Sequence, residues 1–236
     1  TGSFGEIRTD HFHSGIDLRT DGTIGKEVMT TNDGYISRIK VGPVGYGKSI
    51  FIDHPNGLTS GYGHLDRYNA QIDEYVKRIQ YQLKSFEIDV FPKPNEFPVK
   101  KGDLIAYSGN SGGSSGPHLH YEVRTTIDQQ IISPIPNYFS ITDSIAPTIK
   151  SLHIYNLDSS SYSNGYPERI DIQLSKNKNE YTATGKISAY KKIGIGIDAF
   201  DRINNQSTQC GYSNLSLSVN GKLVYKLVFN KFAFAE

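Results

Sequence analysis

Seven histidines are spread along 236 residues, and four of them stand where an imidazole can hold a metal or move a proton. Two lie in Gly116-Pro117-His118-Leu119-His120-Tyr121-Glu122, at the start of a strand-like run from His118 to Thr125. Successive side chains of a strand point to opposite faces, so His118 and His120 share a face, roughly 6–7 Å apart along it. Such a pair can bind one metal together. Alternatively one ring binds while the other handles a proton of the water that the metal activates. Upstream, His13-Ser14-Gly15-Ile16-Asp17 offers an imidazole and a carboxylate four residues apart. Zinc accepts both donor types, and a catalytic site takes three protein ligands and keeps one position open. His13, Asp17 and one of His118 and His120 make that set, with a fourth histidine, His64, in Tyr62-Gly63-His64-Leu65. The bland alternative for each is a half-exposed polar residue on a sheet surface.

The composition fits a scaffold for such a site and excludes other classes. Hydrophobic residues make up 36% and charged residues 21%, enough apolar material for a core. A net charge of +1 gives no general attraction to nucleic acid or to an anionic membrane surface. No run approaches the ~18 apolar residues of a membrane span. Cys210 is the single cysteine, so no internal disulfide and no cysteine-type zinc knuckle can form. The absence of a starting Met and of a signal peptide is read as a processed or truncated chain. Abundant Tyr (16) and Gly (23) suit β structure with many tight turns.

Along the chain, strands are expected at 35–41, 49–54 and 58–65, with a hairpin turn at Pro55-Asn56-Gly57. Ile72, Tyr75, Val76, Ile79 and Leu83 recur at helical spacing, which predicts a surface helix over 70–86. Residues 87–98 carry three prolines and read as an irregular arm, so 67–98 is taken as an insertion and a candidate wall of a groove. Another strand is expected at 104–108. The Gly/Ser stretch 110–116 lacks the Lys-Ser/Thr pair of a phosphate-binding loop and reads as a turn or wall beside His118. A boundary is placed near Asp143, giving domains 1–142 and 143–236. Short strands separated by turn clusters make the second domain a β-sandwich.

The order His13-x-x-x-Asp17, Gly45-Tyr46-Gly47, Tyr62-Gly63-His64-Leu65 and Gly116-Pro117-His118-Leu119-His120-Tyr121-Glu122 resembles the lysostaphin/LytM-type zinc metallopeptidases, over roughly residues 5–125. The fold this implies is mostly β: an antiparallel metallopeptidase core with a helical insertion, followed by a β-sandwich that more loosely resembles an immunoglobulin-type accessory domain. The resemblance implies zinc as cofactor, with His13, Asp17 and His120 as its ligands and His64 and His118 as non-ligand catalytic histidines. It implies an endopeptidase that cleaves stems or cross-links of bacterial peptidoglycan in the cell envelope, periplasmic or secreted. The C-terminal domain is a candidate contact for an envelope protein. Two rival readings are a non-catalytic scaffold that activates another wall hydrolase, and a zinc carboxypeptidase using Arg8 or Arg124 to hold a terminal carboxylate. The scaffold reading expects missing ligands, whereas all five residues are present.

Other residues have plainer expectations. Tyr46 is a candidate substrate contact, with packing as the alternative. Tyr121 stands where Phe is common in the family. His11 is expected at the surface or behind the metal ligands, His54 in a turn, and His153 half-buried on a strand. Glu122 is expected to face away from the histidine pair, as a structural partner.

Overall fold

The computed structural model describes residues 2–8, 11–139, 141–163, 165, 169–204 and 208–233. By their internal contacts they form two compact units, 1–140 together with 226–236, and 141–225. The closing residues thus fall in the first unit.

Among the described residues, the first unit holds eleven strands ahead of its closing segment. They are β1 (Ile16–Arg19), β2 (Glu27–Met29), β3 (Gly34–Val41), β4 (Ser49–Asp53), β5 (Leu58–Gly63) and β6 (Leu65–Tyr68). After the helix α1 (Ala70–Leu83) come β7 (Ile88–Val90), β8 (Pro98–Val99), β9 (Leu104–Ser108), β10 (His118–Thr125) and β11 (Ile131–Ile132). One antiparallel sheet runs in the order β11-β10-β5-β4-β3-β7, with β1 on β10 and β8 on β3. A closing strand, Lys231–Phe232, extends it beyond β11. A smaller sheet runs β2-β9-β6. Alternation sends Ile50 and Ile52 of β4, Tyr62 of β5, and Tyr121 and Val123 of β10 into one apolar core with Ile36, Ile39, Leu65 and Ile105.

The predicted helix forms, three residues shorter at its end. Asn69 caps its start by accepting from the Ile72 N–H, and Lys84 ends it in the left-handed conformation at φ 50°. It buries Ile72 and Val76. The arm after it is less irregular than its prolines suggested. Ile88–Val90 pairs with Ile39–Val41 and extends the sheet edge, because this short run precedes the prolines. The expected continuous strand 58–65 breaks at His64, whose φ of 58° turns the chain out of the large sheet and into the small one.

The second unit is also antiparallel β. Thr148–Asn156 lies between Ile170–Ile172 and Ile193–Phe200 in a three-stranded sheet, with Leu174–Asn177 and Glu180–Ala183 paired as a hairpin.

Candidate active site

Register builds the site. β10 pairs with β1 so that Asp17 stands opposite His120 and Arg19 opposite His118. Cross-strand neighbours share a face, so the carboxylate and both imidazoles lie on the side of the sheet away from the core. On its other flank β10 pairs with β5, placing Gly63 opposite His120 and Gly61 opposite Glu122. A Cβ on Gly61 would lie 2.8 Å from both Glu122 Cγ and the Phe51 ring, and one on Gly63 3.1 Å from the Tyr46 ring. Glycine at these two positions makes the room that the polar side chains fill.

Three donor atoms converge. His13 Nε2 lies 3.0 Å from His120 Nδ1 and 3.1 Å from Asp17 Oδ1, and His120 Nδ1 lies 3.3 Å from the same oxygen. A tetrahedral centre with bonds of about 2.0–2.1 Å spaces its ligand atoms about 3.3–3.4 Å apart, so this triangle has nearly the size of one face of a zinc coordination shell. Each donor is held from behind. His13 Nδ1 donates to the Ser3 carbonyl at 2.9 Å, leaving Nε2 with its lone pair. The Gly2 N–H donates to Asp17 Oδ2 at 2.6 Å. His120 Nε2 faces Glu122 Oε2 at 3.2 Å, leaving Nδ1 for the triangle.

Glu122 anchors a buried cluster. Its Oε2 accepts from Ser14 Oγ and Tyr46 Oη, both at 2.7 Å, while its Oε1 accepts from Arg124 Nε at 2.6 Å. Glu122 is 1% exposed, and the Arg124 guanidinium also lies over Phe51 at 5.0 Å. The expectation that Glu122 faces away from the histidines fails on parity: positions 118, 120, 122 and 124 of one strand share a face. The same parity is the signal that could have found Glu122 and Arg124 from sequence. Tyr46 packs its ring 5.0 Å from that of His120 and lines the cleft, but its hydroxyl is turned inward to Glu122 and Ser14.

His64 and His118 stand beside the triangle with their rings 4.7 Å apart. The glycine/serine loop orients both: His64 Nδ1 meets the Ser111 carbonyl at 2.8 Å, and His118 Nδ1 meets the Gly116 carbonyl at 2.8 Å. Both rings therefore carry their proton on Nδ1 and keep a lone pair on Nε2 when neutral. His118 Nε2 lies 3.5 Å from Asp17 Oδ1. Backbone strain marks His64, a β-carbon residue held in the left-handed region at the junction of the two sheets.

Burial works to raise the Asp17 carboxyl, but the adjoining imidazoles of His120 and His13 outweigh it and hold the group far below the usual carboxylate range. Glu122 is likewise lowered to about 2: burial opposes, and His120 and Arg124 prevail. Two ionised carboxylates therefore flank His120. His64 goes the other way. Burial lowers it to about 4, with charge on His120 and His118 adding to the effect and the Ser111 carbonyl opposing it.

A cleft of about 960 Å³ opens over the triangle. Arg8, His11, Phe12, Phe232 and the loop Gly113–Pro117 are among its lining. None of its lining comes from 67–98, so the insertion is not a wall of this cleft; it builds the far sheet edge at β3 instead. His54 is more than a turn residue: buried, it joins the Asp33 carbonyl at 2.7 Å to Ser60 Oγ at 2.8 Å. His153 lies on the second unit's sheet in a polar row with Ser151 and Asp171.

Fold and site together define a metallopeptidase-type centre on an antiparallel sheet. The profile of Peptidase family M23 matches residues 11–81 and 92–134. The region 11–134 belongs to that family, a family of metallopeptidases. The match skips 82–91, so only the tip of the insertion lies outside the family pattern. The DD-carboxypeptidase/endopeptidase Mpg of Neisseria meningitidis serogroup B is 30% identical over 129 residues, 55% of this chain and 23% of that protein. The peptidoglycan DD-endopeptidase ShyB of Vibrio cholerae is 32% identical over 111 residues, 47% of this chain and 20% of its own length. The chain thus spans less than a quarter of the length of these relatives. Among solved structures, the catalytic domain of lysostaphin from Staphylococcus simulans aligns at 24% identity and a TM-score of 0.42, covering 59% of this chain and 88% of that domain.

Proposed function

We propose that the chain is a zinc-dependent endopeptidase that hydrolyses peptide bonds in the stems or cross-links of bacterial peptidoglycan. The observation that carries this reading is the triangle of His13 Nε2, Asp17 Oδ1 and His120 Nδ1, with edges of 3.0–3.3 Å, beside two further imidazoles. Two neutral nitrogens and one carboxylate oxygen are the donor set of a catalytic zinc site with an open position. His13, Asp17 and His120 would hold the ion. Bound there, zinc supplies Lewis acidity that polarises a scissile carbonyl and acidifies water.

The remaining chemistry belongs to the chain. His64 and His118 present Nε2 lone pairs to the cleft, the form a general base needs. One takes the proton of the attacking water, and the proton passes to the nitrogen of the departing amine. The imidazolium formed in between also steadies negative charge on the former carbonyl oxygen. No H-E-x-x-H helix supplies a glutamate base in this sequence, which leaves the histidines that task. Tyr46 acts from behind, holding Glu122 and the His120 ring, while its ring edge contributes to the cleft.

A carboxypeptidase reading gains support from Arg8, whose guanidinium lines the cleft 3.7 Å from Asp17 Oδ2 and could meet a terminal carboxylate. Arg124 is unsuited to that role, because it is buried against Glu122. The relatives' names support peptidoglycan as substrate, hence action in the cell envelope, periplasmic or secreted. Among the described residues no helix is long and apolar enough to cross a membrane. Residues 143–225 belong to this proposal as an immunoglobulin-like accessory that contacts an envelope protein.

Digestion of purified peptidoglycan, followed by mass analysis, tests the reading. Internal cleavage that stops with chelator and returns with zinc supports it. Release of terminal residues alone would establish the carboxypeptidase, and no chelator-sensitive product would refute both.

A further inference from the structure

The cleft lining combines imidazoles and glycine/serine backbone with two neighbouring phenylalanines. Phe12, 41% exposed, and Phe232 line it together with the glycine and serine residues at Gly113–Gly116. An exposed aromatic surface rimmed by polar groups beside a reactive centre is a recognition feature.

Its construction is specific. Residues 5–8 pair with 11–13, with the Gly5 N–H on the His13 carbonyl at 2.9 Å and the His13 N–H on the Glu6 carbonyl at 2.8 Å. Phe232 arrives from the far end of the unit. Its strand pairs with Ile131–Ile132, and the Ser133 N–H donates to the Asn230 carbonyl at 2.9 Å. Phe4 and Phe12 meet the Phe232 ring at 5.1 and 5.9 Å, and Phe12 meets Phe229 at 5.4 Å. The ring is therefore carried by a paired strand rather than by a loose tail, as a binding surface requires.

We infer that Phe12 and Phe232 form a specificity-determining apolar wall that receives an apolar side chain of the bound peptide. The inference rests on the peptidase reading above and deepens it. The glycine and serine lining offers backbone groups to the peptide main chain, whereas the aromatic wall offers area to a side chain. Phe232 is not a support for the zinc ligands alone; it touches substrate.

The test uses the full chain and disaccharide-peptide dimers released from purified peptidoglycan by a muramidase. Wild type, Phe232→Leu and Phe232→Ser are compared for KM, kcat and zinc affinity measured by chelator competition. Phe232→Ser should raise KM about tenfold with kcat within about twofold, and Phe232→Leu should fall between. Zinc affinity should match wild type in both. An unchanged KM overturns the inference, as does a joint fall of zinc affinity and kcat at constant KM, which would make the ring a brace for the paired segment at His13 only. Should the serine variant not fold, the leucine variant decides by the same criterion. A wild type that cleaves no dimer refutes the peptidase reading and the inference with it. A wild type that cleaves beside an unaffected Phe232→Ser refutes the inference alone.

Discussion

Strand β10 buries Tyr121 and Val123 on one face and His120, Glu122 and Arg124 on the other. The first set joins the apolar core, where contact area matters and partners are interchangeable. The second is as deeply buried, but each polar atom has an assigned partner, and removing one strands another. The apolar face therefore sets how stable the unit is, and the polar face sets what it can hold.

Substitutions on the two faces should separate these roles. The largest effect is expected at the triangle. Asp17→Ala should abolish zinc binding and reduce peptidoglycan cleavage to background, read by metal analysis (about one zinc per chain in the wild type) and by product release. His64→Asn and His118→Ala should each lower kcat by about a hundred- to ten-thousandfold while zinc stays bound. Asparagine is chosen at 64 because it tolerates the left-handed backbone there. Loss of zinc from His118→Ala would instead exchange the roles of 118 and 120.

His64 also has a pH signature. Its folded pKa of about 4 lies below the ordinary value of 6.5, so below that value the unfolded chain takes up a proton that the folded unit resists. The stabilisation is complete above about pH 6.5 and is lost as pH falls toward about 4. Melting curves with chelator should therefore show wild type losing more stability than His64→Asn between pH 7 and 5; parallel profiles would remove this account of His64.

Glu122→Ala should weaken zinc affinity by about ten- to a hundredfold through the freed His120 ring. It should also cost about 3–5 kcal/mol of stability, because Arg124 is left buried without its carboxylate. Denaturant unfolding and chelator competition report these separately, and zinc affinity equal to wild type would show that Glu122 is purely structural. The smallest effect is expected on the opposite face. Tyr121→Phe removes only the hydroxyl contact with Thr31 at 3.1 Å, so it should cost about 1 kcal/mol and leave zinc affinity and turnover unchanged.

Much of this was legible in the chain because it is local. His118 and His120 lie two apart on one strand, and the stripe of Ile72, Tyr75, Val76 and Ile79 gives the helix. What brings His13 and Asp17 to His120 is register across a hundred residues of chain, which periodicity does not encode; only the family resemblance joined them. The kink at His64 was hidden because its neighbours read as good strand residues. Lys231–Phe232 was missed because a two-residue strand has no periodicity, and its partner is distant. Glu122 is a different case: its two-residue spacing from His120 already places it on the histidines' face.

The closing strand has a consequence for the order of assembly. Ile131–Ile132 cannot receive Lys231–Phe232 until the ribosome has made everything between them, roughly a hundred residues. The early pairing that ends in His13 waits longer, through roughly two hundred residues of synthesis, for Phe229 and Phe232 to close over Phe4 and Phe12. A nascent chain stalled before residue 226 would thus carry all five site residues and an incomplete cleft, so a finished substrate surface becomes a late event in the life of the polypeptide.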